Sequence, residues 1–236
     1  QWKRAWYYPQ NGENMHEAVQ RESKAARDSA GILDASTLGK IDIQGTDASE
    51  FLNRVYTNAW SKLEIGKCRY GLMLNEDGMV YDDGVTTRLD ENHYIMTTTT
   101  GGAATVLGKL EDYLQTEWPE LDVYLTSVTD HYATISVCGP NSKKIIQKVI
   151  PEIDLSDKDF PHMSFKNSKI GKVKCRVMRI SFTGEQSYEI NIQANYAKSV
   201  WENCMEAGKE FNITPYGTET MPVSYTHLTL PTTSTV

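Results

Sequence analysis

Two adjacent carboxylates, Asp82 and Asp83, stand in the segment LNEDGMVYDDGVTTRL (residues 74–89), which otherwise reads as a β-hairpin. Its NEDG stretch supplies the Asn, Asp and Gly that tolerate hairpin backbone angles, and that turn sets the parity of the second strand. Side chains alternate across a strand, so Met79, Tyr81, Asp83, Val85 and Leu89 share one face and Val80, Asp82, Thr86 and Arg88 the other. Asp82 is expected on the wetter face near Arg88. Asp83 is aimed at the more apolar side, where a lone carboxylate is costly and is normally paired, protonated or reserved for a ligand. Two readings of Asp83 stand together: an acceptor of backbone hydrogen bonds where the strand bends at Gly84, or a base held for chemistry.

A further carboxylate lies in FTGEQSYEINIQ, where Tyr188, Ile190 and Ile192 take one strand face and Glu189, Asn191 and Gln193 the other. Pattern alone leaves Glu189 open, with a solvated surface residue the cheaper reading. Glu185, after Thr183 and Gly184, reads as turn chemistry. His16, His93, His131 and His162 are scattered and assemble no Ser/His/Asp set. TTTTGGAA (residues 97–104) resembles a phosphate-cradling turn before a helix, but has neither a Walker lysine nor dinucleotide-fingerprint spacing.

Small-molecule chemistry suits the rest of the chain. A formal net charge of -7 over 236 residues leaves no broad basic surface for a nucleic-acid backbone. Cys68, Cys138, Cys175 and Cys204 stand far apart, without a C-x-x-C pair or histidines at ligand spacing, so no metal site is expected and buried thiols of a reducing compartment are. No apolar run reaches the ~20 residues of a membrane span, and no charged-then-apolar leader opens the sequence. The expected location is the cytoplasm, with no membrane partner.

The elements that must carry these residues recur. After a helical start, NMHEAVQRESKAARDSAG, with Ala18, Ala25 and Ala26 on one face, KIDIQGTDASEFLNRVY reads as strand, turn and helix. Ile41 and Ile43 alternate, Gly45 ends the strand, and Asp47 caps a helix carrying Phe51, Leu52 and Val55. TISVCGPNSKKIIQKVI repeats the pattern at an offset of 94 residues, with Pro140 in the first helical turn. The same offset carries Tyr94 onto Tyr188, Ala103 onto Ala197 and Val106 onto Val200. The expectation is an α+β fold of two related antiparallel-sheet plus helix units, with the ligand in the cleft between them.

Taken together, DASTLGKIDIQGTDASEFLNRVYTN, GLMLNEDGMVYDDGV, TTTTGGAA and RISFTGEQSYEI resemble the folate-binding aminomethyltransferase family, which includes the T protein of the glycine cleavage system. That family carries an N-E-x-G-G-x-x-D-D stretch and a Y-T-G-E-x-G-x-E stretch. WYYPQNGE, GKCRYGLML, YDDGVTTRLDENHY and FNITPYGTETM are similar, more closely, to the C-terminal half of the sarcosine oxidase alpha-subunit family. The resemblance implies the aminomethyltransferase folate-binding fold, with its final β-barrel domain missing here. It also implies joining the one-carbon unit from sarcosine oxidation to tetrahydrofolate, giving 5,10-methylenetetrahydrofolate and glycine. The implied partners are folate, a one-carbon donor and the other sarcosine oxidase subunits; FAD, FMN and NAD are expected in the full complex, not in this part of it.

Residue by residue, the family's critical second Asp falls on Asp83, which would take the proton lost in C–N bond formation. Its pterin-recognising Glu falls on Glu189, which would accept paired hydrogen bonds from the ring. Phe182 stands where the family has Tyr, Thr99 where it has a folate-contacting Asn, and Leu38 where it has Met. Tyr188, beside Glu189, joins these as a folate-site residue. A free-standing aminomethyltransferase, a dimethylglycine dehydrogenase domain and a folate-binding module without chemistry remain alternatives. The expected divisions are 1–30, a linker and helix continuing from an upstream region; 31–128 and 129–221, the two units; and 222–236, where the charge-free PVSYTHLTLPTTSTV departs from the resemblance and reads as a foreign tail.

Overall fold

The computed structural model describes residues 3–221; the expected foreign tail at 222–236 lies outside the described residues. Helix α1 (Met15–Asp28) opens the fold behind a capping box, in which Asn14 Oδ1 accepts from Glu17 N at 3.1 Å and the Glu17 carboxylate accepts from Asn14 N at 2.9 Å. Strand β1 (Gly31–Asp34) follows.

The duplicated order then runs twice. The first pass is β2 (Gly39–Gln44), α2 (Ala48–Val55), the hairpin β3 (Cys68–Leu74) and β4 (Val80–Asp90), β5 (His93–Thr98) and α3 (Ala103–Asp112). After β6 (Tyr124–Ser127), the second is β7 (Tyr132–Cys138), α4 (Ser142–Val149), the hairpin β8 (Ser164–Ile170) and β9 (Val173–Arg179), β10 (Ser187–Gln193) and α5 (Ala197–Gly208), closed by the short β11 (Thr214–Pro215).

The two sheets have matching strand orders, β3-β4-β5-β2-β6 and β8-β9-β10-β7-β1-β11. Each takes one strand from the other half of the chain. β1 precedes the first repeat yet pairs antiparallel with β7, and β6 precedes the second yet pairs antiparallel with β2. This exchange ties the two units together through backbone hydrogen bonds.

Strand parity fixes the layers. Ile41, Ile43, Tyr94 and Met96 point to one side of the first sheet and bury against Phe51 and Leu52 of α2 and Val106 and Leu110 of α3. Ile135, Val137, Tyr188 and Ile190 do the same in the second, against Ile145 and Ile146 of α4 and Val200 and Cys204 of α5. Each such aliphatic or aromatic side chain contributes about 1.5–3 kcal/mol through burial. The helix-free faces meet through Cys68, Ile95, Met178 and Ile180, with Val85 and Phe165 packed on them. The backbone also joins there, Cys68 N donating to Met163 O at 2.8 Å and Phe165 N to Gly66 O at 3.1 Å.

The glycines that end β2 and β7 are required at both copies. Gly45 and Gly139 have φ of 135° and 103°, and a Cβ would stand 2.0 Å from Asp122 O in the first and 2.5 Å from Ala26 O in the second. Asp47 precedes α2 as expected but does not cap it with its side chain; its carboxylate instead accepts from Asp122 N at 2.9 Å. Pro140 stands before α4, whose N-cap is Asn141, and not within the first turn.

Candidate active site

The two aspartates exchange the environments that parity assigned them. Asp82 shares its face with Thr86, as expected, but that side is roofed by the end of α2 and the turn before α3, so Asp82 is only 2% exposed. Its Oδ2 accepts from Tyr56 Oη at 2.9 Å, and its Oδ1 from Thr99 N at 3.0 Å and Thr99 Oγ1 at 2.8 Å. Burial and the neighbouring Asp82 push the Tyr56 hydroxyl far up, so it remains a donor. Arg88 is no neighbour of Asp82: it donates to Leu63 O and Glu91 O, both at 2.8 Å, and lies over the Tyr94 ring.

Asp83 shares the sheet-facing side with Val85 and Leu89, as parity implies, yet near the strand's start that side opens and the carboxylate is half-buried. Its Oδ2 accepts from the exposed Tyr70 hydroxyl on β3 at 2.7 Å. The buried aspartate has both oxygens engaged by the protein, and Asp83 is the more accessible of the two.

The TTTTGGAA turn is held by the protein's own carboxylate, because Asp82 occupies the Thr99 N–H that an anion would otherwise take. Gly102 allows the approach: a Cβ there would stand 2.7 Å from Thr99 Oγ1. Thr99 is exposed, but its hydroxyl hydrogen is committed to Asp82. Thr100 continues the edge, its hydroxyl 3.2 Å from Thr37 Oγ1 and accepting from Arg4 at 2.9 Å.

That contact leads to the turn before β2. Leu38 is partly buried against the cluster of Ala26, Leu33, Ala35, Cys138 and Tyr216. Lys40 follows it, 1% exposed, with Nζ donating to Ser36 O at 2.9 Å and Leu38 O at 3.0 Å. Burial brings the Lys40 ammonium down to about 8, against the opposing pull of Glu189, Asp34 and Asp130.

Glu189 lies on the helix-free face of β10, between Ser136 of β7 and Met178 of β9. Burial pushes its carboxyl up to about 7, and Lys40 opposes that shift. Among the described residues no donor is hydrogen-bonded to the carboxylate. Glu189 is half-buried, so the solvated-surface reading gives way to that of a partly desolvated acceptor facing a buried cation.

Register places these groups along one end of the paired sheets. Thr97 and Thr98 at the end of β5 pair with Lys40 and Gly39, and the Thr97 hydroxyl accepts from Val85 N, two residues from Asp83. Phe182 stands in the turn before β10, 57% exposed. Tyr188 does not join them. It is fully buried on the opposite face of β10, in the core beneath α4 and α5 and 6.0 Å from the Phe160 ring. Alternation that turns Glu189 to one side necessarily sends Tyr188 to the other. Glu185 keeps its turn role, with its carbonyl accepting from Ser181 Oγ at 2.6 Å and its carboxylate 3.9 Å from Arg27.

Sequence reasoning missed Lys40, Tyr56 and Tyr70. Lys40 had a signal, a charged residue in phase with Asp42 and Gln44 opposite Ile41 and Ile43, but nothing in the sequence named its partner.

A two-sheet α+β fold with an open aspartate at one strand start and a partly desolvated glutamate across the sheet interface defines a class, and the comparisons agree: the GCVT N-terminal domain family matches residues 1–225, and the chain belongs to it. Over 224 residues it is 58% identical to the sarcosine oxidase subunit alpha of Corynebacterium sp. (strain U-96), covering 94% of this chain and 23% of that protein. It is also 32% identical over 202 residues to the aminomethyltransferase of Thermoanaerobacter sp. (strain X514), covering 85% of this chain and 53% of that one. The chain thus spans about a quarter of the first relative and half of the second. Among solved structures, the glycine cleavage system aminomethyltransferase T from Bartonella henselae superposes with a TM-score of 0.78 at 21% identity, over 97% of this chain and 57% of that one, which shows the shared fold. A chain of the heterotetrameric sarcosine oxidase from Corynebacterium sp. U-96 follows at a TM-score of 0.58 and 13% identity, over 82% of this chain and 92% of that one.

Proposed function

We propose that this chain is a tetrahydrofolate-binding one-carbon transfer domain within a sarcosine-oxidising protein. Glu189 is the observation that carries the reading: a half-buried carboxylate on the sheet-facing side of β10, pushed up to about 7 and without a donor among the described residues, is suited to accept the N–H and amino hydrogens of a pterin edge. Lys40 supplies the buried counter-charge, and through Ser36 O and Leu38 O it also fixes the turn that carries Leu38. Phe182 offers its ring to the same ligand, and Thr99 a hydroxyl oxygen.

Asp83 is assigned the proton. When a folate nitrogen attacks a one-carbon unit at the oxidation level of formaldehyde or an imine, the new C–N bond leaves that nitrogen with a proton to lose. Asp83 accepts it, and Tyr70 orients the carboxylate. Closure through the second nitrogen gives 5,10-methylenetetrahydrofolate, with water or glycine as the leaving species. Amine oxidation, with its flavin and nicotinamide chemistry, is assigned to other parts and subunits of such a protein.

The test is Asp83→Asn in the full-length protein. Methylene transfer should fall by about 10²–10⁴-fold, the usual range for a general base, while tetrahydrofolate affinity holds within about twofold. Undiminished transfer would remove Asp83 from the chemistry. Tight folate binding with no transfer in the parent protein would instead identify a binding module.

A further inference from the structure

At the end of the second sheet away from the turn that carries Phe182, a groove of about 880 Å³ is lined by Tyr132, Asn167, Lys174, Arg176 and Asn191, among others. It belongs to neither the aspartate pair nor the Glu189 pocket: Asn191 is two residues beyond Glu189 on the same face of β10, and the apolar contact of Met178 and Phe165 stands alongside. Arg176 pairs directly with Asn191 in the register.

The two residues present an unusual pair of donors. Asn191 is only 5% exposed, and its Oδ1 accepts from Thr134 Oγ1 at 2.8 Å, which leaves Nδ2 as a buried donor without an acceptor. Arg176 Nε is likewise buried and without an acceptor. The guanidinium lies 5.7 Å from the Phe165 ring centroid, and no carboxylate comes within ion-pair distance of it among the described residues. Asp42, which faces Arg176 across the sheets, has both oxygens engaged, one by His93 Nε2 and the other by Gln44 Nε2, each at 2.6 Å. Tyr132 and Cys68 also face it, and burial pushes the Cys68 thiol up to about 12, so it carries no charge. Lys174 adds an exposed cation at the rim that forms no ion pair among the described residues. The acids of the groove are engaged: Glu152 is 3.7 Å from Lys169, and the Asp154 carboxylate accepts from Ser156 N at 2.8 Å and feels the positive charge of Lys166.

A buried amide donor and a guanidinium without a carboxylate partner among the described residues, both lining one groove, suit an acceptor carrying negative charge. We propose that the groove is a binding site for a small oxyanion, a phosphate or carboxylate group seated on Arg176 and Asn191 with Lys174 at its mouth. The site is independent of the one-carbon reading, since it shares no residue with it.

The proposal is tested in the full-length protein by calorimetric titration with inorganic phosphate and, separately, with glutarate; the stronger of the two identifies the source. Saturable binding is expected, weakened about tenfold or more in Arg176→Gln by loss of the guanidinium fork, and weakened to a lesser extent in Lys174→Gln, which leaves the buried pair intact. Asn191→Asp should abolish binding, because its carboxylate would pair with Arg176 in the anion's place. If Arg176→Gln fails to fold, Arg176→Lys, which keeps the charge without the fork, should still weaken binding. Binding that never saturates, or that is equal in parent and variants, would overturn the site. So would a structure of the parent showing the Asn191 amide turned over to accept from Arg176 Nε.

Discussion

Asp82 and Thr99 form one structural unit: a single carboxylate oxygen accepts both the backbone N–H and the hydroxyl of Thr99, at 3.0 and 2.8 Å, and so anchors the turn that starts α3 to the strand that presents Asp83.

Replacing Asp82 should therefore damage folding before it damages chemistry. Asp82→Ala leaves the buried Tyr56 hydroxyl without its acceptor and releases both donors of the more exposed Thr99, at a cost of about 1.5–3 kcal/mol. Urea denaturation reads this directly. A double-mutant cycle with Tyr56→Phe should return coupling of about 1 kcal/mol or more, whereas simple additivity would mean the 2.9 Å contact contributes little.

Folate affinity should depend on pH through Glu189. The ionised carboxylate accepts hydrogen bonds from the ligand, and its folded pKa is raised to about 7 from the usual 4.5. Binding should strengthen as pH rises through about 7 and level off above it. In the free protein the sign is opposite: the folded state holds the extra proton between 4.5 and about 7, so the Glu189 contribution to stability falls as pH rises across that window. Glu189→Gln should flatten both profiles and weaken binding by about 1.5–3 kcal/mol, the value of a hydrogen bond to a charged group. Calorimetry at several pH values decides it, and an unchanged affinity would return Glu189 to a structural role.

Lys40→Met should move that midpoint upward, since it removes the cation that, among the described residues, opposes the desolvation of Glu189. The variant also frees Ser36 O and Leu38 O from their donor, so the turn carrying Leu38 should exchange its amides faster. A midpoint that stays in place would show that Lys40 serves the turn alone.

Glu22, fully buried on α1, clasps both ends of the described chain. Its Oε1 accepts from Tyr8 N at 2.6 Å, and its Oε2 from Gly217 N at 2.9 Å and Thr220 Oγ1 at 2.6 Å. Glu22→Gln turns one acceptor into a donor facing donors and should cost about 2–4 kcal/mol. Limited proteolysis should then cut near residues 3–9 first. Parent-like resistance would mean that the Trp6–Glu219 contact and the backbone bonds beside it suffice.

Much of the fold was legible in the chain because it follows from local rules. Alternation at Ile41 and Ile43, the glycines after them and the helical spacing of Phe51, Leu52 and Val55 recur at an offset of 94, and the structure reproduces both passes. Parity also separated Asp82 from Asp83 and Glu189 from Tyr188, because side chains alternate whatever lies above them. It could not say what lies above them. Asp82 proved the buried member because α2 and the turn before α3 roof its face, and Glu189 proved half-buried and drawn to Lys40 because the second sheet lies against the first. The exchange of β1 and β6, the buried Lys40 and the unpaired donors of Arg176 and Asn191 were decided only by tertiary structure. Each depends on contacts between residues far apart in the chain, whose burial and charge are set by the partner and not by the residue itself.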